Sequence, residues 1–367
     1  MVSFDILKTG EFATADVRWY KTIMIEIYQN PDPDYWDAYV QACPDASFSH
    51  LHGWVDTLSS TYHLCPIKLV AVDGGRLSGL LPLVLFTPPR GDKRLISLPY
   101  TDAAGIIADD AAIAAELVRA ALDLAADLGA QHLELRQAGD VLLRLQEPDE
   151  RVIYTPHTFK TGLVRALPPS SEELWDQLDA KVRNQVRKAR KCGCSTKIGG
   201  SELLGKFYRV FSENMRDLGS PVHDLGLFRG MVGILASRVF VVSIKGEVAA
   251  AAIVFEKGET LFNPWASSIR CFRPQCPNML LYWSMLAFGA DNGYKRFDFG
   301  RSTPGASTCR FKMQWGAKKE ALVWHVFSRG ASYWVPQNES LVDEAWKKLD
   351  IEDSRKRGPA VRRWISL

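Results

Sequence analysis

Asp298, Arg301, Ser302 and Lys312 are the residues whose types and spacing most readily do chemistry. They stand in Arg296-Phe297-Asp298-Phe299-Gly300-Arg301-Ser302 and in Phe311-Lys312-Met313-Gln314-Trp315-Gly316. The alternation of Phe297 and Phe299 with Asp298 and Gly300 predicts a short strand, aromatic on one face and bearing a carboxylate on the other. That strand runs into a polar loop carrying Arg301, Ser302 and Thr303, the kind of place where sites sit at a sheet edge. A carboxylate whose pKa is raised by burial is a base, and cations beside it bind anionic groups. The competing reading of Asp298 is a structural ion pair with Arg301 or Lys312. For Trp265 and Trp315, each able to wall a pocket, core packing is the better reading.

The elements that must position these residues read as two similar halves. In the first, Ile67–Val72, Leu77–Phe86 and Arg94–Leu98 are strands. A helix over about Ala111–Leu128 then ends at Gly129, and His132–Arg136 is a further strand. In the second, Val239–Ile244, Val248–Phe255 and Thr260–Trp265 are strands. A helix over about Met279–Asn292 ends at Gly293, and Arg296–Phe299 follows. Gly129 and Gly293 are separated by the same interval as Glu134 and Asp298, which argues for a duplicated unit. Hairpins followed by strand–helix–strand predict an α/β (α+β) protein with a mixed, mostly antiparallel sheet in each half. Pro168-Pro169 and the capping pattern Ser170/Glu173 place the join near 165. The expected units are 1–165, 166–335 with the site, and a helical tail at 336–367 containing Leu341, Ala345 and Leu349 at helical spacing, then Gly358-Pro359.

A helix over about Ser171–Cys192 carries an apolar stripe, Leu174, Leu178, Val182, Val186 and Ala189. Around the stripe lie Lys181, Arg183, Arg187, Lys188, Arg190 and Lys191 with no acid between them. One reading is a solvated face. The other is a phosphate-binding surface for a nucleotide, a tRNA or a lipid pyrophosphate, with Arg183, Asn184, Arg187 and Lys188 as contacts. Aromatic interleaving for base stacking is absent from this helix.

Composition supports a folded protein of two domains: 367 residues, 47% hydrophobic, 24% charged, with a net charge of +3 that points to no partner class. Seven cysteines, without zinc-type pairing, are expected to be free thiols, and no metal is expected. Met1–Asp5 has no basic region followed by an apolar stretch, and the apolar run near Leu77–Phe86 is too short to span a bilayer. The expectation is a soluble cytoplasmic protein. The P-loop-like Gly200–Lys206 has Phe207 where a hydroxyl must bind magnesium. His50 and His52 read as surface or structural residues, and Asp109-Asp110 as caps of the following helix.

The order of elements, with the two segments around Asp298 and Lys312, resembles the FemAB-like branch of the GNAT acyltransferase superfamily. It looks like the FemAB-related proteins found near exosortase (PEP-CTERM) polysaccharide loci. Val182–Ala189, Met215–Val222, Gly358–Arg363 and Leu98-Pro99-Tyr100 with Gly105 and Ala108-Asp109-Asp110 share in this resemblance, which covers nearly the whole chain. It implies tandem GNAT-like domains and transfer of an acyl or aminoacyl group, from acyl-CoA or aminoacyl-tRNA, to an amine of a cell-envelope or polysaccharide precursor. The acceptor would be a small or lipid-linked molecule, with tRNA and peripheral membrane contact as implied partners; the sequence sets no oligomeric state. Within that reading Asp298 orients or deprotonates the amine, while Arg301 and Lys312 bind phosphates or the oxyanion. Arg270, Arg273, Asn278, Ser302 and Trp265 are donor-side candidates, with Asn278 as a helix cap. Tyr100, Arg216, Asp217 and His223 are acceptor-side candidates. The glycine-rich loop that holds the CoA pyrophosphate in ordinary GNAT proteins is not visible at Arg270–Asn278. The competing class is a non-catalytic tandem GNAT-like protein that binds a polyanion such as RNA.

Overall fold

The computed structural model describes residues 18–19, 25–29, 31–89, 92–139, 152–329 and 343–366, with backbone alone for 18–19 and 25–29. The first half contains β1 (Arg18–Trp19), β2 (Ile25–Gln29), α1 (Pro33–Ala42), α2 (His52–Tyr62), β3 (Cys65–Asp73), β4 (Arg76–Phe86), β5 (Arg94–Ile96), β6 (Ile107–Ala108), α3 (Ala111–Asp127), β7 (His132–Ala138) and β8 (Val152–His157). There follow β9 (Thr161–Ala166), α4 (Ser171–Asp176), α5 (Ala180–Lys191), β10 (Cys194–Gly199), α6 (Leu204–Asp217) and α7 (Leu225–Ile234). The chain continues with β11 (Ser237–Ile244), β12 (Glu247–Lys257), β13 (Thr260–Ser268), α8 (Pro277–Asp291), β14 (Arg296–Asp298), α9 (Ser307–Met313), β15 (Lys318–Arg329), α10 (Glu344–Lys347) and α11 (Ile351–Arg362).

The strands lie in the order β1-β2-β3-β4-β5-β7-β15-β9-β14-β13-β12-β11-β10, with β6 on β4 and β8 on β15. All neighbours are antiparallel except β5·β7 and β13·β14. The duplication is visible in those two exceptions. Glu134 pairs across from Ile96 in the first parallel pair, and Asp298 across from Phe262 in the second. Each crossover ends in a long helix followed by a glycine at positive φ, Gly129 at 66° and Gly293 at 81°, a conformation an L side chain rarely adopts.

The join between the halves differs from the expected one. The chain crosses from the first sheet to the second between His157 and Thr161, because β9 pairs with β14 and β8 with β15. β15 then returns: Lys318–Ala321 lie on β9, and Leu322–Ser328 lie on β7. One long strand therefore stitches the two sheets together, which no local pattern before Pro168 could reveal.

Packing explains the composition of the strands. Ala249–Ala252 of β12 are fully buried, with α6 on one face of the strand and α8 on the other. Small side chains there let helices approach from both sides. Asp110 caps α3, accepting from the amides of Ala112 and Ile113 at 2.8 and 2.9 Å. Asp109 instead accepts from the Tyr39 hydroxyl and pairs with Arg76. His50 is structural: its Nδ1 accepts from the Ser47 amide, and Nε2 meets the Gly105 carbonyl at 3.1 Å. Burial pushes its pKa down to about 4. All seven cysteines are free thiols. No helix among the described residues is long and apolar enough to cross a membrane.

Two helix expectations are corrected. The segment Ser171–Cys192 is two helices, broken at Gln177–Asp179, so Leu178 lies outside both. Ser170 does cap the first, accepting from the Glu173 amide. In the tail, Leu341 lies outside the described residues, and the long helix is α11, which contains Gly358-Pro359. A Cβ on Gly358 would lie 2.7 Å from Val222 Cγ1 and 3.0 Å from the Val222 nitrogen. Gly358→Ala is therefore expected to lift α11 and cost roughly 1–3 kcal/mol, as overpacking does. Urea unfolding measures this, and an unchanged midpoint would contradict the close packing.

Candidate active site where the parallel strands part

β13 and β14 run side by side only over Thr260–Phe262 and Arg296–Asp298. β13 then continues to Ser268 along β12 alone. The chain beyond Asp298 stays with β9: Phe299 donates to the Leu163 carbonyl at 2.9 Å, and Ser302 bridges to Thr161. The strands thus part at Asp298. A bulge at Asn263–Pro264 turns β13 further, since Phe255 pairs with Phe262 but Ile253 pairs with Trp265. The Asn263 amide fills the bulge, donating to the Ile253 and Trp265 carbonyls at 2.9 and 3.1 Å. On its β14 side, β13 beyond Phe262 has no strand partner among the described residues.

Phe297 and Phe299 are buried in the second-half core, which leaves Asp298 facing the other way. Its Oδ1 accepts from the Gly300 amide at 2.7 Å. Burial first, and then the nearby Asp102 and Glu320 carboxylates, push its pKa up to about 6, against the Gly300 hydrogen bond and Lys312. No Lys or Arg among the described residues forms an ion pair with it, so the structural ion pair considered from sequence is not how Asp298 is held.

Arg301 and Lys312 are occupied otherwise. The Arg301 amide donates to Asp102 Oδ2 at 2.8 Å, and its Nη1 lies 3.1 Å from Asp102 Oδ1. Lys312 Nζ donates to the carbonyls of Gly300 and Arg301 at 3.2 and 2.7 Å. Burial lowers the Lys312 pKa to about 8. These two cations hold the Gly300-Arg301 turn, whose Gly300 has φ 70°, rather than standing free for a phosphate. A Cβ on Gly300 would lie 3.0 Å from Asp102 Oδ2. Lys160 extends the cluster, donating to Thr303 Oγ1 at 2.8 Å. The arrangement brings together two carboxylates, two partly buried lysines and one arginine beside an open sheet edge. It can accept a proton from an ammonium group, or from an amine nitrogen as it attacks, and hold charge nearby.

Asp102 was missed by the sequence reading. It belongs to the first half, in the loop after β5, and only the fold carries it to the second. The signal that pointed there was indirect: the segment Leu98-Pro99-Tyr100 with Gly105 stood out, without Asp102 itself.

The remaining expected residues lie as follows. Trp265 is buried against Trp54 and Phe228, and Trp315 is fully buried, so neither walls a pocket. Asn278 is inside α8; the cap position is Cys276, with φ 58° and no side-chain cap, and Pro277 opens the helix. Arg270 and Arg273 are exposed on the 3₁₀ turn before α8. Ser302 is buried in its bridge to Thr161. Arg216 and Asp217 pair with each other at the end of α6. His223 is buried, held by the Tyr62 hydroxyl at 2.6 Å and by Arg362 Nε at 3.1 Å, and burial holds its pKa well below the usual histidine value. Tyr100 is buried, its hydroxyl donating to the Arg363 carbonyl at 2.6 Å. On α5, Arg187 and Lys188 are exposed and Arg183 is half-buried. Arg187 and Arg190 lie over Trp175, and Arg187 also donates to Asn184. The cations in the last turn of α5 also face the negative end of the helix dipole.

Comparison with known proteins bears on this geometry. No curated protein matches the chain by sequence. Among solved structures, FemX superposes with a TM-score of 0.62 at 13% identity, over 81% of this chain and 96% of that one. The C-terminal domain of a putative lysylphosphatidylglycerol synthetase from Agrobacterium fabrum superposes with a TM-score of 0.56 at 12% identity, over 81% and 92%. A tandem GNAT protein from the clavulanic acid pathway gives 0.52 at 11% identity, over 84% and 100%. Identities this low establish the fold, a mixed α/β architecture of tandem GNAT type. Residues 177–313, which end with α9 and include Asp298, Arg301 and Lys312, match the acetyltransferase (GNAT) domain family.

Proposed function

We propose that this protein is an N-acyltransferase of FemAB-like type, moving an acyl or aminoacyl group to an amine at the parting of β13 and β14. The observation that carries the reading is Asp298: a carboxylate without an ion-pair partner among the described residues, at the mouth of the splayed strands, inside the stretch that matches the GNAT domain. An extended donor can lie along the open edge of β13 by adding main-chain hydrogen bonds, the way peptides add to sheet edges. The amine attacks the acyl carbon and its proton passes to Asp298; the bond to the donor sulfur or ester oxygen then breaks, and that atom takes the proton back from Asp298 and leaves as the thiol or alcohol. At neutral pH Asp298 is mostly ionised and close enough in pKa to serve as that base. Arg301, Asp102 and Lys312 keep the turn behind it fixed.

In this reading the second half from β9 onward carries the reaction, the first half through β8 supplies Asp102 and the acceptor side, and the segment from α11 to Ser366 braces the two. The likeness to a putative lysylphosphatidylglycerol synthetase favours aminoacyl transfer to a lipid-linked or other envelope acceptor, such as an exopolysaccharide amine, in the cytoplasm or at its membrane face. The prolines at 274 and 277 leave few free amides before α8 for a CoA pyrophosphate, which favours an aminoacyl ester donor.

Thermal unfolding in the presence of acetyl-CoA or of aminoacyl-tRNA separates the donors. A ligand at a hundred times its Kd stabilises the fold by about 2.7 kcal/mol. The expected result is stabilisation by aminoacyl-tRNA. Stabilisation by acetyl-CoA alone reverses the donor assignment and keeps the enzyme class. No stabilisation by either, with no transfer of labelled acyl group to a panel of amines, removes the proposal.

A further inference from the structure

The loop that delivers Asp102 is held in an unusual way. Leu98 and Tyr100 both have positive φ, 61° and 64°, with Pro99 between them. Such conformations are costly for residues with side chains and persist only where the surroundings impose them. Two elements impose them here. The first is the segment Arg362–Ser366: the Tyr100 amide donates to the Ser366 carbonyl at 2.7 Å, and the Tyr100 hydroxyl donates to the Arg363 carbonyl. The second is Arg136 of β7. Its Nη1 donates to the Thr101 carbonyl at 3.0 Å and to the Ser366 carbonyl at 2.9 Å, and its Nη2 to Ser366 Oγ at 3.1 Å. Its own carbonyl accepts from the Ala104 amide at 3.1 Å. Arg136 therefore grips the loop on both sides of Asp102.

The same guanidinium reaches the other member of the pair. Arg136 is fully buried, bonded to Glu134 at 2.7 Å, and its guanidinium lies 4.0 Å from the Trp324 ring centre. Trp324 is opposite Arg136 in the β7·β15 register, and the Arg301 guanidinium lies 5.7 Å from the same ring. One buried cation thus touches the loop that holds Asp102 and the indole on which Arg301 rests.

We infer that Arg136, together with the Arg362–Ser366 segment it anchors, is the positioning hub that sets the Asp102–Arg301 pair against Asp298. This rests on the site assigned above. A planar fork meets two carbonyls and a hydroxyl at once, which a lysine's single ammonium group does not reproduce. A change at Arg136 that spares the fold therefore frees Asp102 to move. Asp298 also faces Lys312 and Glu320, which these changes leave in place.

The test follows the Asp298 carboxyl by carbon NMR titration and the Arg301 amide by its nitrogen–proton signal, with no substrate added. Arg136→Lys is expected to lower the Asp298 midpoint by roughly half a pH unit, as weaker like-charge repulsion does, and to shift the Arg301 amide as its bond to Asp102 is lost. Asp102→Asn should do both. Should Arg136→Lys fail to fold, the neutral pair Glu134→Gln with Arg136→Gln keeps the shape without a buried charge and carries the same test. If the folded Arg136 variants leave both signals unmoved while Asp102→Asn moves them, Arg136 is structural only and the inference is overturned. If Asp102→Asn itself leaves Asp298 unmoved, the assigned site fails, whatever Arg136 does.

Discussion

Asp298→Asn is expected to lower acyl transfer by about 10²–10⁴-fold, the usual worth of a positioned base, while the protein still folds. The wild-type rate should climb from pH 5 to pH 7 around a midpoint near 6, because the ionised carboxylate is the working form. The Asn variant should lose that limb. Stability provides an independent check. The folded pKa, about 6, lies above the ordinary value of 3.8. The native state therefore holds a proton that the unfolded chain has released over that window. Stability contributed by this group is greatest below about pH 3.8 and falls as pH rises to 6. The Asn variant lacks this slope, so its stability relative to wild type should rise across the window. A variant that turns over at the wild-type rate with its acid limb intact would remove Asp298 from the chemistry.

Glu134→Ala is expected to produce the opposite pattern, a large loss of stability. Glu134 occupies in the first half the register position that Asp298 holds in the second. Both Glu134 and Arg136 are fully buried, and they meet at 2.7 Å. Removing one partner of a buried pair leaves the other charge without its counter-ion, which costs about 3–5 kcal/mol. Urea unfolding should show that loss, and the double change to Gln at 134 and 136 should recover most of it. A loss below about 1 kcal/mol would show that the carbonyls around Arg136 suffice to hold it. The duplicated unit thus has two unlike carboxylates. One is neutralised in the core, and the other is left beside an open edge.

Much of this arrangement is readable in the chain. Helix-ending glycines at one interval, alternating apolar strands and the Phe-Asp-Phe-Gly step locate both crossovers and identify Asp298. These are local signals, carried by side-chain periodicity and by the residue type that most readily adopts positive φ. The assignments that changed depended on partners far away in sequence. Arg301 and Lys312 look like free cations until Asp102 and the carbonyls of the turn are seen to occupy them. Tyr100 and His223 look polar and available until the Arg362–Ser366 segment and Tyr62 are seen to cover them. Trp315 follows a site motif yet is fully buried.

By itself the sequence determined the fold class, the two-fold repetition and the carboxylate at the end of the second parallel strand, because hydrophobic period and turn chemistry are written residue by residue. Only the tertiary structure decided that β15 joins the two sheets, that β13 and β14 part at Asp298, and that a first-half aspartate reaches the second-half turn beside Asp298. The physical reason is that strand pairing and ion pairing are set by which segments meet after collapse, and segments separated by some two hundred residues carry no mark of each other in sequence.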